Sequence, residues 1–232
     1  MPAQGYQRNR GRGTGARRGG GRLRIVAGRL GGRRIPVPEA RGLRPTPERT
    51  RETLFNWLRD RVRGAQVLDL FAGSGVLAFE ALSRGAAGAL LLEHDARVTA
   101  GLRRTCSELG LDATARVLRT DAFDWLERDR DAPEFDLVFV DPPFGDDLAA
   151  RALRTLAAPG RLAADARVYL EWPAREPDPW DPRLWTAEKA TRAGDSRAVL
   201  LMRSGPGEAA GDDAGSESGS ETGPRDSPGQ FR

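Results

Sequence analysis

The residues best suited to chemistry in this 232-residue chain form one short run. The run Asp141-Pro142-Pro143-Phe144 follows Val138-Phe139-Val140, which has the composition of a buried strand. A carboxylate beside a prolyl carbonyl provides two acceptors that can hold an exocyclic amino group. A neighbouring aromatic ring can stack on the planar base or amide that carries the amine. The run therefore predicts an amine-holding rim, whose candidate catalytic residues are Asp141, Pro142, Pro143 and Phe144.

The same run also has a purely structural interpretation. A strand that ends in a Pro-Pro turn, with Asp141 capping the next helix, would produce the same four residues. The catalytic interpretation has one further requirement, which is a cofactor with a group to transfer. A cofactor site elsewhere in the chain would therefore favour it over the structural interpretation.

A glycine-containing turn upstream is the candidate cofactor site. An apolar strand from Val67 ends at Asp69-Leu70 and leads into Phe71-Ala72-Gly73-Ser74-Gly75, and helical spacing follows. Glycine lets the backbone approach a ligand closely. Position 78 is alanine, so the pattern differs from the G-x-G-x-x-G that binds pyrophosphate. Asp69 at the strand end instead suits a ligand with a positive end.

Two further strands are predicted to end in acidic residues. The apolar run from Ala89 ends at Glu93, in the position that binds ribose hydroxyls in doubly wound sheets. A third strand near Val117 leads to Asp121-Ala122, where a side-chain acceptor and a backbone amide can read an adenine edge. Three acidic strand ends, the lack of a phosphate cradle and the amine-holding rim indicate S-adenosylmethionine as cofactor and N-methylation as the reaction.

Composition excludes several other classes of protein. Cys106 is the only cysteine and His94 the only histidine, which argues against a disulfide framework, a metal site and a catalytic triad. No apolar run approaches the ~18 residues of a membrane-spanning helix. The N-terminus lacks the apolar segment of a signal peptide, which predicts a cytoplasmic protein.

The charge is distributed unevenly along the chain. Residues 1–66 contain 17 arginines and four acidic residues, whereas the remainder is net acidic. A basic front end on an acidic cofactor domain predicts binding to a polyanion. The Arg/Gly-rich segment 1–22 and the acidic Gly/Ser-rich segment 204–232 are predicted to be disordered, because neither can bury a core. Accessory RNA binding and a plain solvated extension both remain open for residues 1–22.

The basic front end has a predicted architecture of its own. Residues 23–27 and 33–37 indicate a β-hairpin with arginines on one face, and a helix is expected after the N-cap Thr46, with Pro47 as its first residue. The candidate RNA contacts are Arg24, Arg29, Arg33, Arg34, Arg44, Arg49 and Arg51. For the last three, contact with the cofactor's carboxylate is an alternative, as is pairing with Glu48 or Glu52.

Several motifs in a fixed order carry a family resemblance. They are Arg24-Ile25-Val26-Ala27-Gly28, Leu43-Arg44-Pro45-Thr46, the helix of residues 49–58, Asp69 to Gly75, Glu80 to Ala86 and Asp141 to Phe144. Together they resemble the RsmD-type family of bacterial 16S ribosomal RNA guanine-N2 methyltransferases over about residues 23–203.

The resemblance implies a Rossmann-like class I methyltransferase fold, α/β with a seven-stranded, mostly parallel sheet and helices on both faces. A hairpin and helix extension at 23–63 would precede a methyltransferase domain at 64–203. S-adenosylmethionine would be the donor, and the substrate would be guanine 966 of the 16S rRNA in a nearly assembled 30S subunit. The glycine turn and Glu93 would hold the cofactor, and the rim would hold the target amine. A monomer without a metal or a membrane partner is expected.

Two rival functions remain open from the sequence. Adenine-N6 DNA methyltransferases use the same kind of rim, but this chain lacks an obvious DNA target-recognition domain. A non-catalytic ribosome-assembly factor with a vestigial pocket is the other rival. The intact Asp69, Gly73, Gly75, Glu93 and Asp141 argue against it.

Overall fold

The computed structural model describes residues 21–38, 47–129, 133–143 and 147–204. Strands β1 (Arg22–Arg24) and β2 (Arg34–Pro36) form a small antiparallel hairpin, as predicted. The elements that follow are α1 (Glu48–Trp57), β3 (Gln66–Asp69), α2 (Val76–Ser83), β4 (Gly88–Glu93), α3 (Ala96–Leu109), β5 (Ala115–Arg119), α4 (Ala122–Arg128), β6 (Phe135–Val140), α5 (Leu148–Leu156), β7 (Leu162–Pro173), β8 (Trp185–Ala193) and β9 (Ser196–Arg203).

The larger sheet has seven strands in the order β5-β4-β3-β6-β7-β9-β8. Strands β3 to β7 pair in parallel, and β9 is antiparallel to both of its neighbours. The chain moves outward from β3 to β5 and then returns to place β6 beside β3. The carboxyl ends of β3 and β6 therefore flank the topological switch point, where open α/β sheets bind their ligands.

Both faces of the sheet are covered, which explains why its central strands are apolar throughout. Val67 and Leu137 pack on one face with residues of α1, α2 and α3. Leu68 and Val138 pack on the other face with residues of α4 and α5. This arrangement confirms the predicted mostly parallel, seven-stranded α/β fold with helices on both faces.

Two local predictions differ from the structure. Pro47 has an extended backbone (ψ 147°) and is the N-cap of α1, so the helix begins one residue later than predicted. Thr46, the predicted cap, lies outside the described residues. Strand β8 was not predicted, because its residues are mostly exposed and polar. Its first residue, Trp185, is buried.

A buried ion pair attaches the hairpin and α1 to the sheet domain. Arg51 is 1% exposed, and its guanidinium Nη1 lies 3.0 Å from Glu80 Oε1 on α2. The same nitrogen donates to the Arg24 carbonyl at 2.9 Å, and the Val26 N–H donates to Glu80 Oε1 at 2.6 Å. Burial raises the pKa of Glu80 and lowers the pKa of Arg51, and their mutual attraction opposes both shifts. One carboxylate therefore joins three segments.

The position of Arg51 corrects one prediction about the basic front end. A side chain that is 1% exposed and bound to Glu80 does not reach a polyanion, so Arg51 is not an RNA contact. Its ion-pair partner also lies on α2, rather than at Glu48 or Glu52 on its own helix. Local sequence spacing cannot predict such a partner, because the two residues lie on different helices.

Replacing Arg51 by methionine should destabilise the protein by about 3–5 kcal/mol, because the buried Glu80 would lose its buried cation and keep only Arg84, whose Nε lies 3.6 Å from Glu80 Oε2. Urea unfolding monitored by tryptophan fluorescence measures the change. Arg49→Met is the matched control, since Arg49 is exposed on the same helix, and it should shift the free energy of unfolding by less than about 0.5 kcal/mol. Equal losses in both variants would contradict the role given to the pair.

Candidate active site

The glycine turn, residues Phe71 to Gly75, is held at the switch point by neighbouring strands. The Ala72 N–H donates to the Leu92 carbonyl at 3.0 Å, and the Gly73 N–H donates to Glu93 Oε2 at 3.1 Å. Both acceptors belong to β4, which pairs with β3. The turn is therefore fixed across the ends of two adjacent strands.

Gly75 is required by the geometry of this turn. It has a positive φ of 74°, and a Cβ atom there would lie 2.7 Å from the Phe79 ring and from Leu102 Cδ2. Its N–H donates to the Ala72 carbonyl at 2.6 Å, which closes the turn. Helix α2 begins at the next residue. The strand-turn-helix predicted from the sequence is thus present.

Asp69 lies beneath the turn rather than on its surface. Its side chain is 2% exposed. Burial raises the pKa of this carboxyl to about 7; the backbone N–H of Ala78 opposes the shift, the charge of Glu93 adds to it, and the Phe71 N–H opposes it. A nearby positive charge would favour the ionised form. The buried acid at this strand end therefore fits a cofactor with a positive end better than a phosphate.

The raised pKa of Asp69 predicts a pH-dependent stability difference against Asp69→Asn. The folded protein holds a proton on Asp69 up to about pH 7, whereas the unfolded chain loses it near the ordinary value of 3.8. Rising pH thus lowers the wild-type free energy of unfolding through this group. Between pH 5 and pH 7.5 the stability of the Asn variant relative to wild type should improve by roughly 2–3 kcal/mol. Urea titrations at the two pH values measure this, and a constant difference would contradict it.

Glu93 occupies the end of β4 beside the turn, where the sequence predicted it. Its carboxylate is mostly buried and accepts from two backbone N–H groups, Gly73 at 3.1 Å and Asp95 at 2.8 Å. His94 Nδ1 lies 3.2 Å from Glu93 Oε1. The structure therefore joins Glu93 to the glycine turn, and contact with ribose hydroxyls stays a prediction.

Asp121 and Ala122 follow β5, one strand further out. Asp121 is the N-cap of α4, and its Oδ1 accepts from the Phe123 N–H at 2.8 Å. Phe123 in turn packs edge-on against Phe71 of the glycine turn, with ring centroids 6.1 Å apart. The start of α4 is therefore contiguous with the turn, and adenine recognition there stays a prediction.

The residues of the predicted amine-holding rim directly follow β6. Asp141 is half-buried, Pro142 is buried and Pro143 is exposed; Phe144 lies outside the described residues. The structural interpretation, in which Asp141 caps the next helix, is wrong, because the N-cap of α5 is Asp147. Strand β6 pairs with β3, so the rim and the glycine turn flank the same switch point.

Sequence reasoning missed two residues beside the rim, Tyr169 and Glu171 on β7. The Tyr169 hydroxyl donates to Glu171 Oε1 at 2.6 Å. Burial raises the pKa of Tyr169 well above its ordinary value, and the charges of Glu171 and Asp141 add to this shift. A glutamate within the largely apolar run of residues 168–172 was the available signal.

A pocket opens between the rim and the end of β7. It is small, with a volume of about 40 Å³. Trp172 forms part of its wall and packs edge-on against Trp180, with ring centroids 5.4 Å apart. Its lining includes Pro142, Pro143, Leu148, Glu171, Trp172 and Glu176. The pocket combines flat apolar surfaces with acceptors, which suits a planar group that carries N–H donors.

The candidate RNA contacts lie mainly on exposed surface. Arg24 and Arg34 are cross-strand partners in the hairpin, on the face opposite the partly buried Leu23 and the buried Ile35. Arg44 lies outside the described residues. The exposed candidates are Arg24, Arg29, Arg33, Arg34 and Arg49. Five of the seven predicted arginines are therefore accessible to a polyanion.

Within the described ranges, no cluster of three or more His, Cys, Asp or Glu side chains could hold a metal ion. None of the helices in that part of the chain is both long and apolar enough to span a membrane.

Comparisons with known proteins converge on one family. The family model described as conserved hypothetical protein 95 matches residues 23–202. Ribosomal RNA small subunit methyltransferase D of Escherichia coli K12 is 41% identical over 191 residues, which are 82% of this chain and 95% of the relative. The protein of the same name from Haemophilus influenzae is 40% identical over 175 residues, 75% of this chain and 90% of the relative. The solved structure of yhhF from Escherichia coli superposes with a TM-score of 0.72 at 39% identity, covering 79% of this chain and 98% of that one.

Proposed function

The chain belongs to the conserved hypothetical protein 95 family, of RsmD type, and on that basis we propose that it methylates ribosomal RNA with S-adenosylmethionine as donor. In its finer form, the proposal is methyl transfer to the exocyclic N2 amine of one guanine, guanine 966 by family resemblance, in the 16S rRNA of a nearly assembled 30S subunit. It would act as a monomer in the cytoplasm, where subunits assemble. The main support for the proposal is that the glycine turn and the rim flank the same switch point of the sheet.

The residues around the glycine turn would hold the cofactor. Backbone groups of Gly73 and Gly75 would lie against it, Glu93 would accept from ribose hydroxyls, and the start of α4 at Asp121 would meet the adenine. S-adenosylmethionine supplies a methyl group on a positively charged sulfur. The buried Asp69, with its pKa of about 7, would become fully ionised beside a bound cation.

The rim would orient the target amine. The Asp141 carboxylate and the Pro142 carbonyl accept its two N–H bonds, which aims the nitrogen lone pair at the methyl carbon and stabilises the growing positive charge. A bound cofactor would supply the methyl group from its positively charged sulfur to this nitrogen, and the methylated amine would release one proton to water. Phe144 would stack on the base, which must leave its helical stack to enter the site.

Replacing Asp141 by alanine should lower kcat at least about 100-fold, because the transition state loses its carboxylate acceptor. Calorimetric binding of S-adenosylmethionine should be unchanged. Asp165→Ala is the matched control, since Asp165 is exposed near the start of β7, at the opposite edge of the sheet. Undiminished turnover in the Asp141 variant would refute the assigned role.

Labelled-methyl transfer to 30S subunits, free 16S rRNA and DNA distinguishes the proposed function from its rivals. We expect a single N2-methylguanine in the 16S rRNA of 30S particles, located by nuclease digestion and mass spectrometry. Methyladenine in DNA would favour the DNA methyltransferase. No transfer, together with no calorimetric binding of S-adenosylmethionine, would favour a non-catalytic assembly factor.

The exposed hairpin face should contribute to RNA affinity through phosphate contacts. The double variant Arg24→Ala/Arg34→Ala should weaken binding to 30S subunits and reduce the salt dependence, d log K/d log[salt], by up to about 2. Arg183→Ala is the control, because Arg183 is also exposed but is already paired with Asp181 at 2.7 Å. An unchanged salt dependence would remove the hairpin from the RNA interface.

A further inference from the structure

Glu171 is a carboxylate that the mechanism above leaves unused, although it lines the pocket beside the rim. It is 5% exposed, and Pro142, Pro143 and Trp172 line the same pocket. Burying a carboxylate among apolar residues is costly unless the group is paired or binds a ligand. The Tyr169 hydroxyl is one partner of this carboxylate, and its place in the pocket lining lets it accept from a ligand as well.

The strand register places Glu171 next to Asp141. Val140 of β6 pairs with Leu170 of β7, so Asp141 and Glu171 follow at neighbouring positions on strands about 4.8 Å apart. Side chains alternate along a strand, so both carboxylates extend from the face that carries Tyr169. The charges of both also act on the Tyr169 phenol. The carboxylates of Asp141 and Glu171 thus place hydrogen-bond acceptors next to each other.

Two neighbouring carboxylates complement the Watson–Crick edge of guanine. That edge carries the N2 amino group beside the N1–H, two neighbouring donors, and then the O6 acceptor, whereas adenine places the N1 lone pair beside its amino group. We propose that Glu171 accepts the N1–H of the target base while Asp141 holds the amine, so that Glu171 selects guanine over adenine. This inference rests on the proposed guanine-N2 methylation and names the residue that determines its specificity.

Tyr169 is the positioning residue for this contact. Its hydroxyl donates to Glu171 Oε1 at 2.6 Å, which orients the carboxylate. A carboxylate has about four lone-pair sites on two oxygens, so it can serve Tyr169 and the base together. A glutamine has one carbonyl oxygen, and its amide nitrogen would present donors where the base also presents one.

A base analogue tests whether the protein recognises the N1–H of the target base, separately from whether it transfers the methyl group. 2-Aminopurine keeps the amine at C2, but its N1 is an acceptor without hydrogen. Small subunits reconstituted with guanine or 2-aminopurine at the target position are compared for wild type, Glu171→Gln and Glu134→Gln. Glu134 is the matched control, because it is exposed and immediately precedes β6, at the opposite edge of the sheet.

Wild type and Glu134→Gln should prefer guanine by roughly 10- to 100-fold in kcat/KM, the discrimination expected of one well-formed base contact. Glu171→Gln should lose most of this preference, because its amide can donate to N1 of 2-aminopurine. Calorimetric affinity for S-adenosylmethionine should be equal in all three proteins. An unchanged guanine preference in a folded Glu171→Gln protein would overturn the inference.

Two other results of this comparison also bear on the role of Glu171. If wild type methylates no guanine in small subunits, the proposed function fails before the inference is reached. If circular dichroism shows that Glu171→Gln does not fold, Tyr169→Phe decides, because it keeps the carboxylate but removes the hydrogen bond that orients it. Its guanine preference should fall several-fold, and an unchanged preference would exclude readout by Glu171.

Discussion

The parallel pairing of β3, β6 and β7 is the constraint on which the rest of this structure depends. Parallel strands present their carboxyl ends at the same edge, so the glycine turn after β3 and the rim after β6 flank one crevice. The pairing of β7 adds Glu171 beside Asp141. Because side chains alternate along a strand, a slip of one residue would move Asp69 or Glu171 to the opposite face. Apolar packing on both faces prevents that slip.

Four buried carboxylates show how the described part of the chain accommodates charge in its interior. Asp69 accepts from backbone N–H groups and has a pKa of about 7, and Glu80 binds Arg51. Glu93 accepts from the Gly73 N–H, and Glu171 accepts from Tyr169. Glu80 lies beside the buried guanidinium of Arg51, whereas Asp69, Glu93 and Glu171 lie at the switch-point edge. In the proposed reaction a cationic cofactor and a base with N–H donors would bind next to these acids.

Helix α2 connects the cofactor end of the molecule to the basic hairpin. It begins directly after the glycine turn, and near its other end Glu80 and Ser83 hold the hairpin. Ser83 Oγ accepts from the Leu30 N–H at 2.9 Å, and the Ser83 carbonyl accepts from the Arg29 N–H at 2.8 Å. One short buried helix thus positions both the turn and the arginine-bearing face. A polyanion bound to the hairpin would therefore contact a segment that is held by α2, the same helix that follows the glycine turn.

The sequence by itself determined the strand ends and the order of the elements around the site. Apolar runs that stop at Asp69, Glu93 and Asp141 predicted three strands and their acidic ends, because burial on both faces leaves a strong local signal. The tertiary structure alone decided what depends on pairing between distant segments. Strand β8 is a polar edge strand without an apolar pattern, the partner of Arg51 lies 29 residues away on another helix, and Glu171 meets Asp141 only through the register of β6 and β7. Such long-range contacts are set by packing of the whole sheet, which no local spacing encodes.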